Sequence, residues 1–192
     1  MVPGGAETQR LFFALWPEPE LGERLFALGG DRLRVGGRWV VAENLHLTLA
    51  FLGSLDVALR QRLEQGADGI RVPRFTLALD RVGCFRRKGI FWAGATQTPA
   101  PLLELVGALK AAQAACGLTP EDREYQVHVT LARDVRRCPP EGPITPSLEW
   151  PARRFVLVES HTDADGARYE ILRSWELTTG TRGEARGARG EG

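Results

Sequence analysis

An α+β fold built on antiparallel sheet is the class that three features of this 192-residue sequence predict. Apolar patterns of period two and period 3.6 follow one another without strict strand–helix alternation, which argues against a doubly wound parallel sheet. No glycine-rich phosphate loop of the dinucleotide or P-loop kind is present. One five-residue pattern also occurs twice. His46-Leu47-Thr48-Leu49-Ala50 and His128-Val129-Thr130-Leu131-Ala132 each fall near the middle of one half of the chain. This weak internal repeat points to two related lobes.

The elements follow in order. Leu11 to Trp16 is a short apolar run stopped by Pro17, as in a buried strand. Leu21, Leu25 and Leu28 recur at helical spacing, and Gly29-Gly30 gives a stop. Trp39 to Val41 leads into a strand over Leu45 to Leu52, ended by Gly53. Asp56 can cap a helix whose buried face is Leu59, Leu63, Ala67 and Ile70. Phe75, Leu77 and Leu79 alternate with polar or small residues, the period of a half-buried strand. The basic turn Arg86-Arg87-Lys88-Gly89 joins that strand to Ile90–Ala95 as a hairpin. Thr98-Pro99 opens a third helix with Leu102, Leu105, Leu109 and Cys116 on one face. Gln126 to Ala132 reads as a strand, and the prolines from Pro139 to Pro151 predict an extended loop. Phe155 to Ser160 and Tyr169 to Leu177 form a last antiparallel pair, joined by a turn around Asp163–Gly166.

Composition narrows the function classes. The formal net charge is +1, so no global field draws in nucleic acid and any anion site must be built locally. Cys84, Cys116 and Cys138 are odd in number and lack metal-ligand spacing, which fits a reduced, cytoplasmic compartment. Met1 to Arg10 lacks a signal-peptide pattern, and no stretch approaches a membrane span. Residues 1–180 read as one domain. Residues 181–192, rich in Gly, Arg and Glu, read as a disordered tail; RNA contacts through Arg182, Arg186 and Arg189 are the minor alternative. A monomer is expected, since no obvious apolar patch stands out.

The repeated pattern carries the chemistry. Side chains alternate along a strand, so His46 and Thr48 face one way while Leu47 and Leu49 anchor the other face. His128 and Thr130 do the same above Val129 and Leu131. A His is followed by Thr at +2 and Leu at +3 by chance roughly once in a hundred times, yet two of the three histidines show it. If the lobes are related by a pseudo-twofold, the two His-Thr pairs face each other across one cleft. Such a set suits phosphodiester cleavage. In-line displacement takes a proton from water on one side and gives one to the leaving oxygen on the other. Imidazole titrates near neutrality, and threonine hydroxyls can hold the non-bridging oxygens. A metal site would leave the paired threonines without a role, and no Gly-x-Ser-x-Gly elbow is present.

Together with Arg10-Leu11-Phe12-Phe13-Ala14-Leu15, Asn44 to Gly53, Phe75-Thr76-Leu77, His128 to Arg133 and Tyr169 to Leu177, the doubled motif makes the chain resemble the two-histidine phosphoesterases. Within them it is similar to the bacterial and archaeal RNA 2′,3′-cyclic phosphodiesterases, also called 2′-5′ RNA ligase-like proteins. The resemblance implies a bilobal α+β fold: two pseudo-symmetric lobes of antiparallel sheet, helices packed outside and the active-site cleft between them. It implies cofactor-free and metal-free opening of a ribose 2′,3′-cyclic phosphate, on RNA ends or nucleosides, to a 2′-phosphomonoester. Carried over, His46 is the general acid and His128 the general base. Two related outcomes stay open: another small substrate, such as a 2′-5′ oligonucleotide or an ADP-ribose cyclic phosphate, and an RNA end-binding or end-joining role.

Beyond the histidines and threonines, Arg133 matches the basic substrate contact that follows the second motif in that family. Strict alternation puts it on the face opposite His128, so a cleft role requires the strand to end or twist there, and a surface arginine is the competing reading. Phe51, the matching position in the first copy, is assigned to the core, as are Phe12 and Phe13, although one of these two could stack on a base. The Arg86–Lys88 turn and Arg136-Arg137 could track an RNA backbone, with solvated loops as the default. His161 has no partner threonine and is read as peripheral.

Overall fold

The computed structural model describes residues 8–28, 36–163 and 166–179. The Gly29-Gly30 stop, the Ala164-Asp165 centre of the last turn and the 181–192 tail with its three arginines lie outside the described residues. Strands and helices follow in the order β1 (Gln9–Leu15), α1 (Pro19–Ala27), β2 (Arg38–Trp39), β3 (Leu47–Leu55), α2 (Val57–Asp68), β4 (Phe75–Phe85), β5 (Ile90–Gly94), α3 (Ala100–Ala115), β6 (Val129–Arg133), β7 (Gly142–Ala152), β8 (Arg154–Asp163) and β9 (Gly166–Glu176). The main path of the sheet runs β7-β4-β5-β6-β3-β1-β8-β9, with β2 added to β6.

Two four-stranded halves are visible in that order, β7-β4-β5-β6 and β3-β1-β8-β9, and every pairing between named strands is antiparallel. They meet through the two motif-bearing strands, and Leu47 opposite Val129 is the paired position between β3 and β6. Leu11, Phe13, Leu15, Leu47, Leu49, Val129 and Leu131 enter one buried cluster with Leu25 of α1, Leu63 of α2 and Leu105 of α3. Alternate residues of β1 and β8 (Phe12, Ala14, Val156 and Val158) form a second, smaller cluster. The helices thus cover one face of the sheet and leave the motif face open. Burial of each large apolar side chain in the first cluster contributes roughly 1.5–3 kcal/mol, so the helix-covered face supplies most of the stability.

Local signals fix the helices as expected. Asp56 accepts a hydrogen bond from the Leu59 N–H at 2.8 Å and caps α2. Pro99 is the N-cap of α3, which begins at Ala100 where Thr98-Pro99 predicts a start, and α1, for which no start is read, begins at Pro19.

Three expectations need correction. The proline-rich segment from Pro139 to Pro151 is not a loop throughout: from Gly142 it forms β7, paired with β4 along its length. Strand β7 lies at the end of the sheet, where a proline without an N–H leaves no interior ladder bond unmade. Strand β3 runs past Gly53 to Leu55 because Gly53 adopts a left-handed backbone, φ 78°, beside an irregularity in the pairing with β1. Finally, Cys84 and Cys138, 54 residues apart in sequence, are joined by a disulfide with Cα atoms 5.7 Å apart, and Cys116 is free. Cys84 lies near the end of β4 and Cys138 in the segment between β6 and β7, so the sheet brings them together where spacing alone could not reveal it. This bond removes the argument for a reduced compartment. Among the described residues no helix is long and apolar enough to cross a membrane.

Glycine permits close packing behind the second motif. A Cβ on Gly94 would lie 2.7 Å from the Val127 carbonyl oxygen and 2.8 Å from the Trp92 ring, whereas one on Gly107 in α3 would meet nothing within 4 Å. Gly94→Ala is therefore expected to destabilise the protein by about 1–3 kcal/mol in urea unfolding, and Gly107→Ala to stabilise it by ~0.5–1 kcal/mol. Equal effects of the two substitutions would contradict this packing.

Candidate active site

Each motif histidine occupies the residue just before its strand begins, and each ring is held by its own chain. His46 Nδ1 lies 2.7 Å from the carbonyl oxygen of Asn44, and His128 Nδ1 lies 2.9 Å from that of Gln126. A carbonyl can only accept, so Nδ1 carries the hydrogen in both rings. In the neutral form this leaves the Nε2 lone pair available, and in the cation an Nε2–H. The same anchor, two residues back, recurs in both copies of the motif.

The antiparallel register from Leu47–Val129 sets His46 across from Thr130 and Thr48 across from His128. The two histidines then flank the Leu47–Val129 pair from opposite strands, close enough that the charge of His128 acts on His46. Both threonines are half-buried on this face. Among the described residues neither hydroxyl has a protein hydrogen-bond partner.

A matched irregularity decides where the residues after the motifs go. Against β1, Phe13 pairs with Ala50 and Ala14 with Thr48, so Leu49 is an extra residue. Against β5, Trp92 pairs with Thr130 and Phe91 with Ala132, so Leu131 is an extra residue at the equivalent position. A bulge shifts the alternation by one. Leu49-Ala50 and Leu131-Ala132 are consecutive buried pairs, and the next residues, Phe51 and Arg133, return to the motif face. Phe51 is accordingly 53% exposed rather than core, with the Arg10 guanidinium 5.2 Å from its ring centroid. Arg133 is exposed, and its charge reaches both histidines.

Aromatic side chains wall the histidines. Trp16 stacks on His46 with ring centroids 5.1 Å apart and planes 6° from parallel; Phe12 is at 4.9 Å. Tyr169 meets His46 edge-on at 5.0 Å and 78°, and Phe85 meets His128 edge-on at 5.2 Å and 78°. Phe12 is buried as expected, yet it belongs to the motif-face cluster, while Phe13 is in the main core. The wall residues Trp16, Phe85 and Tyr169 were not assigned roles from sequence. For Trp16 the signal was its position two and four residues after Ala14 and Phe12, on the same strand face. His161 lies on β8, two strands from β3, with Nε2 3.8 Å from both Glu159 and Glu170. It does not join the motif histidines.

Burial pulls the His46 pKa down to about 4, with the charges of Arg133 and His128 adding to the effect and the Asn44 hydrogen bond opposing it. His128 is also lowered, first by burial and then by Arg123, Lys88 and Arg133, against the hydrogen bond to Gln126. Both rings are therefore neutral near pH 7. Among the described residues no three His, Cys, Asp or Glu side chains gather closely enough to hold a metal ion.

A cavity of about 560 Å³ opens beside this arrangement. It reaches Thr48 and His128 and extends away from His46, between Phe51 and the Arg86–Lys88 turn.

The profile of the family described as LigT like Phosphoesterase matches residues 15–92. The RNA 2′,3′-cyclic phosphodiesterase of Escherichia coli (strain K12) is 35% identical over 176 residues, covering 90% of this chain and 99% of that protein. The Thermus thermophilus protein of the same name is 29% identical over 184 residues, covering 88% and 90% respectively. Among solved structures, E. coli LigT complexed with 3′-AMP superposes with a TM-score of 0.85 at 34% identity, covering 90% of this chain and 100% of that one.

The depressed His46 pKa makes a stability prediction. Between pH 6.5 and about 4 the unfolded chain takes up a proton that the folded ring refuses, so stability is lost as pH falls through that window. The shift corresponds to roughly 3 kcal/mol. Urea unfolding at pH 7 and pH 4.5 is expected to show a smaller acid loss for His46→Gln than for wild type, by ~2–3 kcal/mol. Parallel losses would mean that the ring protonates freely in the folded state.

Proposed function

Because the chain belongs to the LigT-like phosphoesterases, we propose that it hydrolyses RNA 2′,3′-cyclic phosphates to 2′-phosphomonoesters by acid–base catalysis between His46 and His128. The observation that carries this reading is the matched anchoring of two imidazoles, each Nδ1–H on its own backbone carbonyl, on adjacent antiparallel strands.

The chemistry follows from that arrangement. A cyclic phosphate seated between the rings presents phosphorus to water on one side and its ribose 3′-oxygen on the other. His128 accepts a proton from the attacking water through Nε2 as the new P–O bond forms. His46 gives its Nε2 proton to the 3′-oxygen as the P–O3′ bond breaks. The products are a 2′-phosphate and a free 3′-hydroxyl, and proton exchange with solvent resets the pair. Thr48 and Thr130 donate hydrogen bonds to the non-bridging oxygens, and Arg133 on the same face holds the phosphate charge. Geometry alone treats the two rings alike; the assignment of acid to His46 and base to His128 follows the resemblance to the two-histidine family.

The lowered pKa values bear on this division. A base that is neutral at pH 7 is ready to act, whereas a donor must first be charged. The phosphate's negative charge, placed beside His46, favours the imidazolium that burial and Arg133 disfavour in the empty cleft. Trp16 presents its ring face to the same imidazole and favours the cation further. The donor is thus charged chiefly when substrate is present.

Neither ring needs a metal for these steps, so activity without cofactor or metal belongs to the proposal, as do a monomeric state and a cytoplasmic location. In a reducing cytoplasm Cys84 and Cys138 would be held as thiols. Alkylation and mass measurement of protein taken from cells would read that state directly.

Cytidine 2′,3′-cyclic phosphate, offered with EDTA, is expected to yield the 2′-phosphate. His46→Ala and His128→Ala are each expected to lose ~10²–10⁴-fold in kcat. An inert wild type would remove the substrate assignment, and a fully active single mutant would remove the two-imidazole mechanism.

A further inference from the structure

The carbonyl that holds the His46 ring is itself held. Asn44 ends a single turn of 3-10 helix, Ala42–Asn44, between β2 and β3. Its N–H donates to the Val41 carbonyl at 3.0 Å, and the Leu45 N–H donates to the Ala42 carbonyl at 3.2 Å. Leu45, 1% exposed, belongs to the main core and pins the chain between this turn and the ring. The Asn44 side chain makes a further attachment. Its Nδ2 donates at 2.9 Å to the carbonyl oxygen of Ala167, 123 residues further along the chain. Ala167 lies on β9, two residues before Tyr169, whose ring meets His46 edge-on at 5.0 Å. Strand β9 therefore reaches the same imidazole twice, once through the ring wall and once through the anchor.

The second motif is fastened differently. His128 Nδ1 is held by the Gln126 carbonyl, and among the described residues the Gln126 side chain has no hydrogen-bond partner. The neighbouring Tyr125 donates its hydroxyl to the Thr48 carbonyl at 2.9 Å, which ties that anchor to the other motif strand. The Asn44 bond runs the opposite way, to the end of the sheet. Strand β9 shares no ladder with β3, because β1 and β8 lie between them. A side chain that bridges two strands where no ladder does fixes the place of the Asn44 carbonyl relative to the Tyr169 ring. That place matters because an imidazole turned by half a rotation exchanges Nδ1 for Nε2, and the bond to the carbonyl opposes the exchange.

We propose that Asn44 is a positioning residue for the proton donor: by binding Ala167 it holds its own carbonyl where the His46 Nδ1–H needs it, and so keeps Nε2 directed at the leaving oxygen. The proposal rests on the acid–base function given above, but the orientation of the ring can be read without substrate. Asn44 does not touch the reacting atoms. It acts through His46, so its loss falls on kcat rather than on substrate binding. The bond lies at the surface, and its removal loosens the anchor without breaking it. A misplacement of about 1 Å at a catalytic group costs on the order of 10²-fold, so a partial loosening should cost ~10-fold.

The test is Asn44→Ala, which keeps the anchor carbonyl and removes the tie. In ¹⁵N spectra of the protein alone at neutral pH, the His46 ring is expected to change from one tautomer, with hydrogen on Nδ1, to a mixture of two. His128 should keep its Nδ1–H, which shows that the variant is folded. With cytidine 2′,3′-cyclic phosphate, kcat is expected to fall ~10-fold while KM stays within about threefold of wild type. The bond to the Asn44 carbonyl raises the His46 pKa, so weakening it moves the basic limb of the kcat–pH profile toward lower pH. The other titratable groups that face the ring, Arg133, His128 and Tyr169, are the same in both proteins. A His46 ring that keeps its single tautomer, or a variant of unchanged kcat, overturns the proposal. So does a variant in which both histidines lose their tautomer together, since that marks a general structural role. If wild type opens no cyclic phosphate the functional reading falls, and the His46 tautomer in the variant alone decides whether Asn44 positions the ring.

Discussion

The structure turns on one backbone contact between two halves of a sheet. Strands β3 and β6 meet at Leu47–Val129 and part on either side. That single pairing fixes His46 against Thr130 and Thr48 against His128. The carbonyls on the β3 edge that β6 leaves behind are taken up by side chains: Tyr125 donates to Thr48 at 2.9 Å, and Gln113, 3% exposed, donates to Phe51 at 3.0 Å. A buried carbonyl without a donor would cost about 1–3 kcal/mol, so these two residues let the strands diverge without loss of backbone bonding. Divergence is what makes a cleft out of a continuous sheet.

A second constraint is duplicated. Leu49 and Leu131 are bulged at equivalent positions, and each returns the residue two places later to the motif face. In one half this delivers the cation Arg133 and in the other the aromatic Phe51. The site is thus symmetric in its histidines, threonines and edge-on aromatics, and asymmetric at its margins. The asymmetry puts an exposed cation, Arg133, at one margin and a cavity between Phe51 and the basic turn at the other.

Much of this was legible in the sequence, and the boundary of legibility has a physical cause. His46, Thr48, His128 and Thr130 could be paired because period-two alternation is local and the motif is repeated. Helix α2 was readable from the Asp56 cap, which acts within one turn. What escaped depends on tertiary pairing. The proline-bearing β7 is a strand because it lies at a sheet edge, and nothing local marks an edge. Bulges at Leu49 and Leu131 leave the composition of a regular strand unchanged, so strict alternation misplaced Phe51 and left Arg133 undecided. Cys84 and Cys138 are neighbours only after β4 pairs with β5 and β5 with β6. Trp16 and Tyr169 reach His46 from strands far apart in sequence.

The central claim is that each catalytic ring is presented through Nε2, neutral until a phosphate arrives. The ¹⁵N shifts of the His46 and His128 rings, followed at neutral pH with and without the 2′-monophosphate product, test it most directly. Without ligand both rings should be neutral with hydrogen on Nδ1, and bound phosphate should bring His46 to the doubly protonated form. Hydrogen on Nε2 in the empty cleft, or a His46 ring that ligand leaves unprotonated, would contradict the account.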